Sequence, residues 1–558
     1  MSRSVFLHRP NIVEAEEVTV SKGTTFFDLL PKEKSPSDSR ITLGKVNHVL
    51  YELGEEIPEV GEEILFINTQ DTDGYRVYMR TLSFVFSVAM KELFPENRLV
   101  FEHSISGGTY CTLRDGDRPI VMDSWTRDRI LTRMRKIVEE KIPIVRREVP
   151  VSEAISLFEN LGRMDKVALL KQTEKDRVAI YSMGEHQDSF FGFLLPNTEL
   201  VDVFDLELFN CGLVLLGVDR FAGDRVRNFL PQYKLSMSYN ESEAWAELQG
   251  VTQVSHLNAL IEQGRIGEVC RVTESLQNEK IMDIAEEIHR NNKRIVLIAA
   301  PSSSGKTSFT YKLKTKLKVL GLRPLTISLD DYYVNRVDTP LDEHGNYDFE
   351  SIYAIDLELF NKDLNALMRG EPVERIRFDF TTGERVHMGE EIQIGARDPI
   401  LIEGIHGLNP LLTDHIAEEH KYRIYLSVIT QINLDNHNRI PTTDLRILRR
   451  MARDKAFRGK PIDQTIMEWE SVRAGEKEFI FPYQEEADVL FNSSFIFEIP
   501  ILKKILMKEL KEISPENPAY TEAKRLESLL QYFVTLEDDS DVVNTSILRE
   551  FIGGSKIV

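Results

Sequence analysis

The sequence KRIVLIAAPSSSGKT, residues 293–307, joins an apolar run to a serine-rich loop that ends in Gly-Lys-Thr. The run predicts a buried strand over Lys293–Ala300, and the periodic apolar side chains after the loop predict a helix over Lys306–Leu320. Residues 300–307 have the phosphate-binding pattern G-x-x-x-x-G-K-[ST], with Ala300 in place of its first glycine. This order of strand, loop and helix predicts a phosphate-binding loop in an α/β domain.

The chemistry of this loop predicts a nucleotide site. Backbone N–H groups and the positive end of the helix dipole would hold the β-phosphate, Lys306 would reach the β and γ oxygens, and Thr307 would ligate Mg²⁺. We therefore predict ATP and Mg²⁺ as cofactors. The alternative is a serine-rich loop that binds nothing. The predicted nucleotide contacts are Ser302, Ser303, Ser304, Gly305, Lys306, Thr307 and Ser308.

Acidic residues follow two further predicted strands. Asp330 follows the apolar run at residues 325–329, and Glu403 follows the run at residues 400–402. Because active groups gather at the C-terminal ends of parallel strands, Asp330 could take the proton of an acceptor hydroxyl, and Glu403 could help to hold Mg²⁺. Either carboxylate could instead cap a turn.

The segment RILRRMARDKAFRGK, residues 446–460, carries seven basic residues and one acidic residue. At helical spacing Arg446, Arg449, Arg450 and Arg453 share a face, from which guanidinium groups could close over a transferring phosphoryl group. The alternative is a solvated or RNA-facing helix.

Length and composition indicate an ordinary multidomain protein. The 558 residues predict three or more folded units, and no apolar run approaches the roughly 18 residues of a membrane helix. The N-terminal residues lack a signal-peptide pattern, which favours the cytoplasm. Three separated cysteines fit neither a disulfide framework nor a zinc cluster, and a net charge of −21 disfavours a large nucleic-acid face.

Together these motifs resemble the uridine kinase and phosphoribulokinase family of P-loop kinases over about residues 295–492. The resemblance implies that Asp330 in LDDYY is the catalytic base, with Tyr333 beside the substrate. It also implies that Glu350, in YDFESIYAID at residues 347–356, contacts sugar hydroxyls. The segment RFDFTTGER, residues 377–385, looks like the base-recognition segment of the family and assigns Arg385 to the substrate.

The same resemblance identifies RDKAFRGK, residues 453–460, as an arginine-rich lid in which Arg453 and Arg458 stabilise the transferring charge. Phe378 and Gly383 stand where uridine kinases have a tyrosine and a histidine around the pyrimidine ring. The last lid arginine is Lys460. The sugar-end chemistry is therefore retained, whereas pyrimidine recognition does not follow from the resemblance.

The N-terminal half is similar to the front end of threonyl-tRNA synthetases, which has a TGS module and an editing domain. Thr81 and Val85 stand where the editing domain has the two histidines of its H-x-x-x-H helix, and residues 189–198 lack the later metal-binding cysteine and histidine. Without these ligands a zinc hydrolase site cannot form. We therefore expect a non-catalytic binding or regulatory platform.

The predicted fold class is multidomain, with α+β modules followed by an α/β kinase domain with a mostly parallel sheet. The whole arrangement resembles a bacterial group of TGS-containing nucleoside kinases, and residues 546–555 are expected to form an extended or hairpin arm. The predicted units are a TGS-like (ubiquitin-like) domain at 1–68, an editing-like domain at 69–250, a helical connector at 251–291, the kinase domain at 292–500 and a helical tail at 501–558.

These observations predict an ATP-dependent kinase acting on a hydroxyl, most simply the 5′-OH of a nucleoside, with a sugar or sugar-phosphate acceptor as the nearest alternative. The rival hypothesis is an RNA- or ribosome-associated regulator that uses the P-loop as a sensor. The expected partners are a small phosphoryl acceptor, RNA or an effector at the N-terminal half, and further copies of the chain.

Overall fold

The computed structural model describes residues 2–12, 14–31, 40–59, 61, 63–341, 345 and 347–557. Over these residues the chain forms five β-sheets, and the predicted mixture of α+β modules and a parallel-sheet α/β region is seen. Residues 32–39, inside the predicted first unit, lie outside the described part.

The first sheet has the strand order β2-β1-β5-β3-β4, in which β1 and β5 are parallel and the other neighbours are antiparallel. Its strands are β1 Ser2–His8, β2 Glu16–Ser21, β3 Ile41–Val46, β4 Val49–Glu52 and β5 Glu63–Asn68. Phe27–Leu29 form a single 3-10 turn. Gly44 is required in β3 because the ring of Phe26 fills the space that a Cβ atom would occupy.

Two further sheets and four helices follow. One sheet has the order β12-β13-β7-β6 with β8 beside β7, and the other has the order β11-β10-β9. The elements are α1 Thr72–Leu93, β6 Arg98–Ile105, β7 Gly108–Asp115, β8 Arg118–Pro119, α2 Ser124–Glu139, β9 Ile144–Pro150, α3 Val151–Asn160, α4 Met164–Leu170, β10 Arg177–Met183, β11 His186–Asp188, β12 Asp205–Phe209 and β13 Gly212–Leu216.

Three helices lead into the C-terminal half: α5 Tyr233–Leu248, α6 Val254–Glu262 and α7 Ile266–Arg290. Residues 251–291, predicted as a helical connector, contain α6 and α7. The periodic apolar pattern of α7 is interrupted because Thr273, Glu274 and Gln277 are buried polar residues. Their hydrogen bonds replace apolar contacts: the Gln277 side-chain amide donates to the Ser494 carbonyl at 2.8 Å.

The kinase-like region is built on a sheet of five strands, all parallel, in the order β15-β18-β14-β19-β20. The predicted strand, loop and helix around the serine-rich motif are confirmed within one or two residues. The elements are β14 Ile295–Ala299, α8 Lys306–Val319, β15 Leu325–Ser328, α9 Leu357–Met368, a β16 Val373–Asp379 and β17 Glu384–Ile392 hairpin, β18 Ile400–Glu403, β19 Lys421–Ser427, α10 Thr442–Arg458, α11 Ile462–Phe479 and β20 Val489–Asn492.

The C-terminal segment packs against this region. It contains α12 Glu498–Glu512, α13 Tyr520–Leu530 and α14 Arg549–Ile552. The prediction of an extended or hairpin arm at residues 546–555 is therefore wrong. Ile547, Leu548 and Phe551 are fully buried, and their spacing places them on one side of a helical turn. In the part of the chain that the structure describes, every helix is too short or too polar to cross a membrane.

Candidate active site

The P-loop, residues 300–307, connects β14 to the N-terminus of α8. Gly305 caps α8 with φ of 79°, a left-handed conformation that glycine adopts without strain. Ala300 is fully buried and is not among the residues with positive φ, so alanine in place of the first glycine causes no backbone strain. The loop thus has the local geometry that its sequence predicts.

Several polar groups of the loop are available to a ligand. The hydroxyls of Ser303 and Ser304 are buried and have no hydrogen-bond partner among the described residues. The Lys306 ammonium has one protein contact there, at 3.4 Å from the Ala300 carbonyl oxygen. The first N–H groups of α8 cannot bond inside the helix. These groups fit the β and γ phosphates of a nucleotide.

The next residue, Ser308, is already engaged by the C-terminal segment. Oε2 of Glu550 accepts a hydrogen bond from the Ser308 hydroxyl at 2.7 Å and from its amide at 3.3 Å. The side chain of Ile547 lies against Gly305. A carboxylate therefore occupies one anion-binding position of the P-loop. Sequence reasoning missed this contact because it joins residues 242 positions apart.

Ser302, at the start of the loop, is held by buried charges. Its amide donates to Glu476 Oε1 at 3.1 Å, and its carbonyl accepts from Arg446 Nε at 3.0 Å. Arg446 also pairs with Glu476, which is fully buried and accepts a second hydrogen bond from Arg473 at 3.1 Å. Glu476 is a second residue that the sequence did not reveal, because only the fold brings α11 to the loop.

The predicted acids meet beside Lys306. Glu403 accepts a hydrogen bond from the Ser328 hydroxyl at 3.0 Å. Burial raises the pKa of Glu403 to about 7, with a further contribution from Asp330, whereas Lys306 opposes the rise. The side chain of Asp330 is exposed to solvent, and the charges of Lys306 and Arg458 act on it. The charges of Asp330 and Lys306 both act on Glu403, so the three groups share one electrostatic site.

This site fits a divalent cation. Mg²⁺ is usually held by one or two carboxylates together with substrate phosphates. The Thr307 hydroxyl has no protein partner among the described residues, and the Glu403 carboxylate has a hydrogen bond to one oxygen only. No cluster of three or more His, Cys, Asp or Glu ligands occurs in the described ranges.

Tyr333 and Glu350 lie near Asp330, whose charge acts on both. The buried Tyr333 hydroxyl donates to the Phe349 carbonyl at 3.2 Å, and its ring meets the edge of Phe378 at 5.6 Å. The Glu350 carboxylate accepts no hydrogen bond from the described residues. Burial raises its pKa to about 7, and Glu476 adds to the rise. An unpaired carboxyl group in this position can accept hydrogen bonds from hydroxyls.

Arg385 is placed differently from the expectation of direct substrate contact. Its guanidinium pairs with Asp356 at 3.1 Å and donates to the carbonyls of Tyr333 at 3.0 Å and Tyr332 at 3.4 Å. Through these three contacts Arg385 holds the loop that follows Asp330 in place. We therefore regard Arg385 as a positioning residue.

The arginines of α10 do not share one role, which corrects the single-face interpretation. Arg449 is fully buried, pairs with Glu498 at 2.6 Å and stacks on Phe551 at 4.7 Å, so it cannot reach a phosphoryl group. Asp454 instead forms ion pairs with Arg450, Arg453 and Arg458, with N···O distances of 3.5, 2.9 and 3.3 Å. Of these three, Arg458 has the most exposed side chain, at 58%.

The sequence of the region that carries the P-loop is similar to those of known kinases. Residues 295–496 match the profile of the Phosphoribulokinase / Uridine kinase family. Over 202 residues the chain is 31% identical to the uridine kinase of Bacillus pumilus, an alignment that covers 36% of this chain and 87% of that enzyme. The chain belongs to the phosphoribulokinase/uridine kinase family. It is accordingly a phosphotransferase that acts on an alcohol group.

The N-terminal half of this phosphoribulokinase/uridine kinase family member matches a different protein. It is 24% identical over 194 residues to the threonine–tRNA ligase of Lawsonia intracellularis, covering 35% of this chain and 30% of the ligase. Among solved structures, a possible uridine kinase from Bacillus stearothermophilus aligns over 36% of this chain and 89% of its own, with 17% identity and a TM-score of 0.25.

Two residues of α1 that the sequence analysis singled out lie in the packed core of this family member. Thr81 and Val85 on α1 are fully buried. The Thr81 hydroxyl donates to the Val77 carbonyl at 2.8 Å and accepts from the Leu195 amide at 2.9 Å. A core hydrogen bond thus joins α1 to residues 189–198.

Proposed function

We propose that this chain transfers the γ-phosphoryl group of ATP to a hydroxyl of a small metabolite, with the 5′-OH of a nucleoside as the favoured acceptor. The observation that carries the proposal is the grouping of Asp330, Glu403 and Lys306 at the C-terminal ends of parallel strands beside the P-loop. This is the set of one base, one metal ligand and one phosphate ligand that phosphoryl transfer requires.

Each residue of the site has a separate role in the proposed phosphoryl transfer. Lys306 and the serines of the P-loop bind phosphate oxygens, and Thr307 and Glu403 hold Mg²⁺. MgATP supplies the phosphoryl group. Asp330 accepts the proton of the acceptor hydroxyl. Arg453 and Arg458 stabilise negative charge once they are drawn from Asp454.

The acceptor side supports an unphosphorylated acceptor over a sugar phosphate. A phosphorylated acceptor needs free cationic groups to grip its phosphate. Arg385 is already paired with Asp356, whereas the unpaired Glu350 carboxylate is suited to sugar hydroxyls. Phe378 is buried against Tyr333, so recognition of the base would be apolar on this side.

We propose that the N-terminal half contributes a TGS-like and an editing-like unit without hydrolase chemistry, with the unit boundaries given above. The strand order β2-β1-β5-β3-β4 and the match to threonine–tRNA ligases support this interpretation. An RNA partner, assembly of several copies and a cytoplasmic location remain predictions.

The proposal is tested by supplying the purified chain with MgATP and a panel of nucleosides, sugars and sugar phosphates, and identifying phosphorylated products by mass spectrometry. A nucleoside 5′-monophosphate as the main product supports the favoured acceptor. A sugar bisphosphate as the main product would instead require a phosphate grip that Arg385 does not offer in this structure.

A further inference from the structure

A cavity of about 400 Å³ lies between the N-terminal half and the C-terminal segment, away from the P-loop. Its walls come from α1, β9, α4, residues 189–193, the loop at residues 434–438 and α13. Neither the P-loop residues nor Asp330 and Glu403 line it. Its volume is in the range of small-molecule sites, and junctions between units are where such sites are frequent.

The lining of this junction cavity has more basic than acidic residues, in a chain whose net charge is −21. Its acidic residues are all paired: Asp73 with Arg76 at 2.9 Å, Glu148 with Arg146 at 2.5 Å and Asp435 with Lys166 at 3.1 Å. Carboxylates outside the lining also pair with five of the basic residues: Glu522 with Arg76 and Arg525, Glu55 with Arg146, Asp188 with Lys166 and Glu527 with Lys524. Arg80, Lys175 and Arg177 have no carboxylate partner among the described residues. The cavity has three acidic and eight basic lining residues, the latter being Arg76, Arg80, Arg146, Lys166, Lys175, Arg177, Lys524 and Arg525.

Arg80, on α1, is one of two cavity cations that are partly buried and have no carboxylate partner among the described residues. Its guanidinium donates to the Phe193 carbonyl at 2.7 Å and forms no ion pair with the described residues. Burial lowers its pKa to about 10. Gly192, with φ of 114°, gives the guanidinium room, because a Cβ atom there would lie 2.7 Å from it. The backbone thus accommodates a charge that the protein does not neutralise.

Lys175 is the second such cation. Its ammonium contacts the Ser528 hydroxyl at 2.5 Å and lies 4.5 Å from the centre of the Tyr532 ring and 5.8 Å from that of Phe191. It too forms no ion pair within the described ranges, and burial lowers its pKa to about 8. Keeping a charged group from water without a counter-ion is costly, so a bound anion would stabilise both residues.

The remaining wall is apolar and aromatic. Phe190, Phe191, Phe193 and Tyr532 line it together with Leu169, Leu170 and Val178. Such a surface binds the body of a ligand, whereas the cations orient its charged end.

We propose that the junction cavity binds a small molecule that joins an anionic group to an aromatic or apolar body, with the anion held by Arg80 and Lys175. This second site is separate from the catalytic site. It lies between α13 and the N-terminal half, so a ligand bound there contacts both. Phosphate and carboxylate share the required chemistry, and the test distinguishes them.

The test uses calorimetric titration of the full chain carrying Lys306→Ala, so that the P-loop does not compete for phosphate. The probes are phenyl phosphate, benzoate and the uncharged benzyl alcohol. We expect at least one anion to bind with one-to-one stoichiometry and roughly tenfold or more tighter than benzyl alcohol, since a charged hydrogen bond contributes about 1.5–3 kcal/mol. The tighter anion identifies the charged group of the ligand.

Arg80→Met and Lys175→Met, each added to this background, should weaken the anion roughly tenfold or more. The matched control is Arg147→Met, which changes an exposed arginine of β9 that is outside the cavity and pairs with Glu153. Because both test variants remove an uncompensated charge, their unfolding midpoints should equal or exceed that of the background. Anions that bind no tighter than benzyl alcohol, or equally well to the two test variants, would overturn the proposal.

Discussion

Oε2 of Glu550 accepts two hydrogen bonds from Ser308, one from its hydroxyl at 2.7 Å and one from its amide at 3.3 Å. The acceptor oxygen lies at the N-terminus of α8, where a phosphate oxygen would be favoured. The negative charge of Glu550 also helps to raise the pKa of Glu403. The C-terminal segment and a nucleotide therefore require the same part of the P-loop.

The first prediction follows from this competition. Glu550→Gln should lower the KM for ATP by roughly tenfold, because a charge-assisted contact contributes about 1.5–3 kcal/mol and a neutral amide competes poorly with phosphate. Steady-state kinetics with varied ATP measures the change. Glu512→Gln, at the exposed end of α12, is the control. A rise in KM would show instead that Glu550 helps to hold the nucleotide or its metal.

Glu476 gives a prediction about stability. Glu476→Ala should lower the unfolding free energy by about 3–5 kcal/mol, because it leaves Arg446 and Arg473 without their buried counter-ion. Urea unfolding followed by tryptophan fluorescence measures this. The exposed Glu468, paired with Lys460, provides the control Glu468→Ala, for which surface ion pairs predict a loss of at most about 1 kcal/mol. Equal losses would contradict the structural role of Glu476.

The raised pKa of Glu403 predicts a pH-dependent requirement for Mg²⁺. Below its pKa of about 7 the carboxyl is protonated and cannot bind the cation, whereas above it the carboxylate is free to do so. The Mg²⁺ concentration for half-maximal activity should therefore rise roughly tenfold for each pH unit below the pKa. Glu403→Gln should need more Mg²⁺ than wild type above pH 7 and should lose the pH dependence. The same pH profile in wild type and variant would contradict this assignment.

Arg385 should act through the loop that it holds. Arg385→Met should lower kcat with little change in the KM for ATP, because the backbone at residues 332–333 loses its anchor and Asp330 is misplaced. Asp356→Asn, which removes the partner of Arg385, should have the same effect. If Arg385→Met instead raises only the KM of the acceptor while Asp356→Asn is neutral, Arg385 binds the substrate directly.

The sequence allowed the P-loop and its acids to be predicted because each sits in a local pattern. The apolar run before Ala300 and the periodic residues after Lys306 fixed the strand and helix within one or two residues. Glu476 and Glu550 have no such pattern, since their contacts to the loop cross 174 and 242 residues. Arg449 was misassigned because helical spacing shows which residues are near one another but not what covers them.

The central claim is tested most directly by acceptor-dependent ADP release from the full chain and from Asp330→Asn, with ATP, Mg²⁺ and a panel of nucleosides and sugars. The account predicts release that depends on one class of acceptor and falls at least roughly hundredfold in Asp330→Asn, the usual contribution of a general base, while ATP binding is retained. ATP binding without acceptor-dependent release, or undiminished release from Asp330→Asn, would contradict it.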